Sequence, residues 1–297
     1  MADFLQLLIA GLATGAIYAL AAIGFTLLWQ TSQTINFAQG EFVMLPAFFA
    51  LAAMNGFGLP FWLAAVLAVA AAVVLLGFVF KIVIVDPLIR QGVLPLVIST
   101  IAVALLLKDG AKEAYSAEAQ RFPSILPDRL QDIFGAKISL AQLGVLGVAM
   151  ATIGALQWFL AATHTGRQMQ ATAQNPTVAR ILGVRVERMV MFTFVLNAAL
   201  AAIASLLISP VYFVKFSNGE TLGVAAFVSA IVGGFNQVRG AIAGGLLVGV
   251  IDNLAGAYST VIGVSSSYRQ AVPLALLVLV ILFRPQGLLG RREERAV

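Results

Sequence analysis

Asp252 is the first residue that calls for a chemical explanation. It is an acid near the middle of the apolar run 240–262, followed directly by Asn253. A carboxylate at membrane depth costs about 3 kcal/mol or more unless it is paired or wet, so it marks an ion or substrate path by default. The plainer reading is a carboxyl satisfied by neighbouring amides, or a run that ends near it. Asn197, inside run 189–212, poses the same question more weakly, because one amide often just hydrogen-bonds an adjacent helix.

Two polar interruptions carry further candidates. Ile35-Asn36-Phe37-Ala38-Gln39-Gly40-Glu41 joins the first two apolar runs with almost no connecting length. Gly233-Gly234-Phe235-Asn236-Gln237-Val238-Arg239-Gly240 does the same in the last third. Both mix Phe, Asn, Gln and Gly. Paired Gly-interrupted segments in the two halves of a transporter point to broken or re-entrant helices beside the substrate path. Unwound backbone persists at that depth only when buried in protein or lining a cavity. As short loops at the membrane surface they would have no such role, and Glu41 would then only favour the positive end of the next helix. Asn36, Gln39, Glu41, Asn197 and Asp252 are therefore the candidate pathway residues.

Segment 163–188 suggests contact rather than catalysis. Asn175 is a good N-cap, Pro176 suits the first helical position, and Gly183 is placed to stop the helix. A two-turn helix over 176–182 puts Val178, Ile181 and Leu182 on one side. Helices this short are marginal in water, so this one should be held against its own bundle, the bilayer or a partner's groove. Arg167 precedes it and Arg180 lies within it.

No catalytic or metal constellation appears. Cysteine is absent and His164 is the only histidine, which removes Cys/His metal sites and Cys–His dyads. No lysine follows a glycine, so no phosphate loop exists, and neither a GxSxG elbow nor an HExxH pair occurs. The chain itself should hydrolyse neither ATP nor a peptide bond.

The elements that hold these residues are apolar. Of 297 residues, 61% are hydrophobic and 10% charged, against roughly 45–50% and about 25% in soluble domains. That balance excludes a soluble enzyme, a nucleic-acid binder and a disulfide scaffold. Apolar runs fall at 4–29, 41–55, 61–80, 93–107, 138–162, 189–212, 222–235, 240–262 and 271–283. With about 20 residues per crossing, they predict an all-α, polytopic bundle of eight to ten spans forming one domain over 1–297. The N-terminus lacks the basic region of a signal peptide, and its apolar stretch should stay as the first span.

Lys81, Arg90, Arg167, Arg180, Arg185, Arg188, Arg239, Arg284, Arg291, Arg292 and Arg295 fall on one side of this topology, with seven of the 18 Lys and Arg on the other. Inner loops collect such residues, so loop 163–188 and the C-terminus should be cytoplasmic. Loop 109–137, with Pro123 and Pro127, then lies outside. Gly11–Gly15, Gly240–Gly244 and Gly245–Gly249 are GxxxG pairs, which pack either the chain's own helices or a dimer seam.

Taken in order, five segments resemble the permease subunits of branched-chain amino acid ABC importers, the H-type subunit, along nearly the whole chain. They are the Gly15–Leu20 and Ala22–Leu27 stretches, Asn36–Glu41, Thr165–Gly183, Val232–Phe235 with Gly240–Gly245, and the tail Arg284–Gly290. Gln39 stands where that family commonly has His. The resemblance implies that 176–182 is a coupling helix seated on an ATPase subunit, with Arg167, Asn175, Pro176, Val178, Arg180, Ile181, Leu182 and Gly183 serving that contact. It also implies a homologous second permease, two ATPase subunits that bind ATP and Mg, a periplasmic binding protein and a bacterial inner membrane, with no cofactor, catalytic residue or metal in this chain. Relatives of this type also carry urea, short amides and other small acids. A channel for a small polar solute, or an ion-driven transporter using Asp252, are the rival readings.

Overall fold

The computed structural model describes residues 2–89, 91–115, 118–124, 126, 129–133, 136–259 and 271–290. Arg90, Pro127, Asp128, Arg269, the end of run 240–262, and Arg291, Arg292 and Arg295 lie outside the described residues. Among those described, seven helices are long and apolar enough to cross a membrane, and two shorter apolar helices accompany them. The described residues form an all-α bundle apart from one small hairpin.

Helix α1 (Ala2–Ser32) is the central post, and α2 (Gln39–Phe57) follows after a short turn. α3 (Phe61–Ala72) continues through π-helical stretches at Val73–Val79 and Lys81–Val85 into α4 (Asp86–Ile89). α5 (Val93–Tyr115) leads to β1 (Leu130–Ile133) and β2 (Ala136–Ser139), an antiparallel hairpin. α6 (Leu140–Ala162), α7 (His164–Gln174) and α8 (Pro176–Ile181) precede α9 (Val186–Tyr212). α10 (Asn218–Gly233), α11 (Val238–Tyr258) and α12 (Ala271–Phe283) complete the set.

Several helices outrun the apolar runs that announce them. α5 ends at Tyr115 rather than 107, so Lys108 just past the apolar run is helical, and Lys112 is taken out of the loop expected over 109–137 and into the same helix. α10 begins at Asn218, so Glu220 is helical as well. The hairpin occupies part of the remaining loop, and Gln120 bridges to Val214.

The glycine pairs pack this chain's own helices. A Cβ on Gly15 would meet the backbone of Gly245 and Leu246, and one on Gly249 would meet Gly15. Two GxxxG faces, Gly11–Gly15 on α1 and Gly245–Gly249 on α11, thus lie against each other, close enough for dispersion between backbones to hold them. Gly240 and Gly244 serve the α10–α11 contact in the same way.

The two interruptions differ in depth. Gln33, with φ of 53°, ends α1 in the left-handed region. By Gln39 the chain has turned back far enough that its Nε2 reaches the Ala21 carbonyl at 3.3 Å. Ala21 lies eleven residues before Ser32, roughly 16 Å along the axis at 1.5 Å per residue. Thr34, Asn36 and Ala38 are buried. The first interruption is re-entrant. The second is a turn level with the end of α1, where Gln30 donates to the Asn236 carbonyl. The tail Arg284–Gly290 folds over it: Leu288 and Leu289 N–H groups donate to the Val232 and Gly233 carbonyls at 2.8 and 2.9 Å, supplying donors that the end of α10 lacks.

Candidate functional site

The re-entrant turn is fastened by a pair of amides. Gln39 Nε2 donates to Asn197 Oδ1 at 2.7 Å, and Asn197 Nδ2 donates back to Gln39 Oε1 at 2.8 Å. Both side chains are fully buried. α1 passes this pair through Gly24, where a Cβ would collide with both amides. Asn36 Oδ1 accepts from the Ala38 N–H at 3.0 Å, whereas its Nδ2 has no partner. The Phe37 N–H reaches Thr100 Oγ1 on α5 at 3.3 Å. Just beyond, Ser205 of α9 accepts from the Ala47 N–H at 3.0 Å, next to Pro46 in α2.

Glu41 then lines a cavity of about 420 Å3 among α1, α2, α5 and α10. Its residue is 5% exposed and its Oε2 has no hydrogen-bond partner. Gly219 leaves the carboxyl its room, because a Cβ there would overlap it. Across the cavity Lys108 Nζ pairs with Glu220 Oε2 at 3.0 Å, joining α5 to α10. The Glu220 side chain is 70% exposed on the outer surface of this chain. Ionisable groups on membrane helices face a partner or water rather than lipid, so the exposed Glu220 end of this pair meets one or the other.

The aromatic residues of the two interruptions meet here. Phe37 and Phe235 both lie against Phe227, at 6.2 and 6.0 Å between centroids, and Phe25 packs on Phe227 at 5.5 Å. Trp29 extends the column through Phe235 towards the end of α1.

Asp252 lies in a second cavity of about 460 Å3, where the Tyr18 hydroxyl donates to its Oδ2 at 3.2 Å. Glu220 and Val224 border both cavities. Of the five residues singled out by sequence, Gln39 and Asn197 are therefore bonded to each other. Glu41 and Asp252 line separate cavities, and Asn36 shapes the turn. Sequence reasoning missed Lys108, Glu220 and Tyr18. The two charged residues sit at the edges of apolar runs, where they read as loop residues; Tyr18 had no signal beyond its hydroxyl in an apolar helix.

The segment at the basic end keeps its local design. Asn175 Oδ1 accepts from the Thr177 and Val178 N–H groups at 3.0 Å each, Pro176 opens α8, and Gly183 has φ of 84°. α7 was not foreseen: Thr163 caps it by accepting from the Gly166 N–H at 2.9 Å. Gly166 fits against the backbone of Phe159 and Leu160. Ala179 anchors α8 inward, while Val178, Ile181 and Leu182 are 48%, 80% and 75% exposed. The apolar side of α8 does not lie on its own bundle. Arg167 and Arg180 are exposed beside it.

Together these features define a polytopic helical membrane protein with a re-entrant turn leading into its second helix, acid and base groups inside the bundle, and an uncovered helix at its basic end. The chain belongs to the family described as branched-chain amino acid transport system permease components, which matches residues 7–281. It is 32% identical to the high-affinity branched-chain amino acid transport system permease protein BraD of Pseudomonas aeruginosa, over 99% of this chain and 98% of that one. It is 31% identical to LivH of Escherichia coli K12, a protein of the same description, with the same coverage. A probable LivH permease of Methanocaldococcus jannaschii is 29% identical over 91% of this chain and 88% of that protein.

Proposed function

We propose that the chain is one permease subunit of an ATP-driven importer in a bacterial inner (plasma) membrane. It forms half of the translocation path for a branched-chain or related amino acid delivered by a periplasmic binding protein. The observation that carries the reading is α8, a capped two-turn helix with Val178, Ile181 and Leu182 turned away from the bundle. Such a helix needs a partner to justify its exposed apolar side. In this reading α8 docks on an ATP-binding subunit in the cytoplasm, with Arg167, Arg180 and the 163–188 segment around it. Two such subunits bind ATP and Mg and hydrolyse the nucleotide.

The α5–α10 face, with Lys108 and Glu220, meets a homologous second permease. Glu41 and Asp252 line the path, while Asn36, Gln39 and Asn197 hold the re-entrant turn that walls it. Closure of the ATPases pulls on α8, and α7 carries the motion to α6 and α9. Transport follows only if substrate, binding protein and nucleotide bind the inward and outward states unequally. The residues over 1–297 act as one translocation unit, with the C-terminus on the cytoplasmic side.

Proteoliposomes holding the chain with its proposed partner subunits test this directly. Uptake of labelled leucine should require both ATP and the binding protein. Uptake by the chain alone, without nucleotide, would instead establish a channel or an ion-driven transporter.

A further inference from the structure

The cavity beside the re-entrant turn has a more specific chemistry than a passage requires. Its walls are apolar and aromatic, with Phe25, Phe37 and Phe227 on one side. Set into them are three ionisable groups: Glu41, with one carboxyl oxygen unpartnered, and the Lys108–Glu220 pair at 3.0 Å. A buried carboxyl oxygen without a donor is costly to leave so. An entering ammonium supplies that donor. The Lys108 ammonium has three N–H groups, of which Glu220 takes one in the contact observed. The others are directed by a flexible stem and can bind a carboxylate.

We infer that this cavity is a binding site within the permease for the charged head of an α-amino acid: the ligand's ammonium sits on Glu41, its carboxylate on Lys108, and its aliphatic side chain on the phenyl walls. This rests on the permease reading and deepens it. The volume, about 420 Å3, falls in the range of small-molecule sites, roughly 300–1,000 Å3. Because a site built to pair charges leaves them unpaired when the ligand lacks them, discrimination should be large. Urea and short amides, without an ammonium and a carboxylate, match neither pole. Selection then occurs in the membrane as well as at the binding protein. Gly219 is part of the site, since a methyl group there would displace the Glu41 carboxyl.

The test uses the complete complex in nanodiscs, without the binding protein, and measures displacement of labelled L-leucine. The competitors are its hydroxy analogue, which has OH in place of the ammonium, and isoamylamine, which lacks the carboxylate. The complex should bind L-leucine saturably, with each analogue at least tenfold weaker. Glu41→Gln should weaken L-leucine at least tenfold while barely changing the hydroxy analogue, and Glu41→Asp should recover part of the loss. Equal competition by the hydroxy analogue, or unchanged binding in Glu41→Gln, overturns the site. If Glu41→Gln fails to assemble, the analogue series on the unaltered complex still decides. No leucine binding by a complex whose uptake depends on ATP and binding protein would refute this site and leave the permease reading standing. Absence of ATP-dependent uptake would refute both.

Discussion

Replacing Gln39 by Met and Asn197 by Leu, singly and together, measures how firmly the re-entrant turn is fixed. Each replacement is close in size to the original, so the changes remove polarity with little change of volume. The pair makes two reciprocal hydrogen bonds of 2.7 and 2.8 Å in a fully buried setting. Removing one partner leaves the other amide with an unsatisfied donor and acceptor, at about 1–3 kcal/mol for a buried polar group. Asn197→Leu should therefore cost about 2–3 kcal/mol. Gln39→Met should cost about the same, since it strands Asn197 and also gives up the longer bond to Ala21. Replacing both partners leaves nothing stranded, so the double variant should lose less than the two singles combined. Interhelical hydrogen bonds in membranes couple by about 0.6 kcal/mol on average and about 1.7 at most. For two bonds the coupling should therefore be about 1–3 kcal/mol. Equilibrium unfolding of the purified chain in a detergent–lipid mixture, run as a double-mutant cycle, reads it. Additive effects, with coupling below about 0.5 kcal/mol, would refute the amide clamp.

Four further substitutions test particular contacts. Val178→Asp places a charge on the exposed side of α8, so it should reduce recovery of ATP-binding subunits and ATP-driven uptake at least tenfold while membrane insertion, by protease protection, is unchanged. Asn175→Ala removes both cap hydrogen bonds of α8, which is worth about 1 kcal/mol; with the helix frayed, hydrogen exchange should rise over 176–182 and transport should fall by a smaller factor than in Val178→Asp. Gly249→Leu drives a side chain into the α1 backbone at Gly15 and should abolish folded protein in size-exclusion chromatography. Gly56→Ala, at a site with open space around it, should leave yield and elution unchanged.

The membrane helices were legible because lipid demands continuous apolar residues: run 61–80 reappears as α3 with the π-helical stretch Val73–Val79 that continues it, and run 271–283 as α12. The ends were less legible where polar residues remain helical. Lys108 and Glu220 stop an apolar run but not a helix, since they pair with each other across α5 and α10. α8 could be read from Asn175, Pro176 and Gly183 because caps are local chemistry. α7 escaped notice: its sequence, His164–Gln174, is mostly polar, and it is held by Thr163 and by the close seat of Gly166 on α6.

The site divided along the same line. Asn36, Gln39 and Glu41 stood out as polar residues in an apolar context, yet nothing local told their depths or partners. Gln39 meets Asn197 across a separation of 158 residues, and Tyr18 meets Asp252 across 234. The similarity of the two interruptions suggested equal roles. Depth separates them: the first is drawn in by the Gln39 bonds, and the second is held level with the end of α1 by Gln30 and the folded tail.

In the proposed importer, α8 seats this chain on an ATP-binding subunit. Because the chain contains no cysteine, Ile181→Cys introduces a single thiol on the exposed side of α8, and Trp158→Cys on α6 serves as the control. A thiol-linked photocrosslinker, activated in native membranes and followed by mass spectrometry, identifies what touches each. An adduct between position 181 and an ATP-binding subunit, suppressed or shifted when ATP is trapped and absent from position 158, is the predicted result. Position 181 crosslinking only to lipid or to this chain, in membranes that still show ATP-dependent uptake, would contradict it.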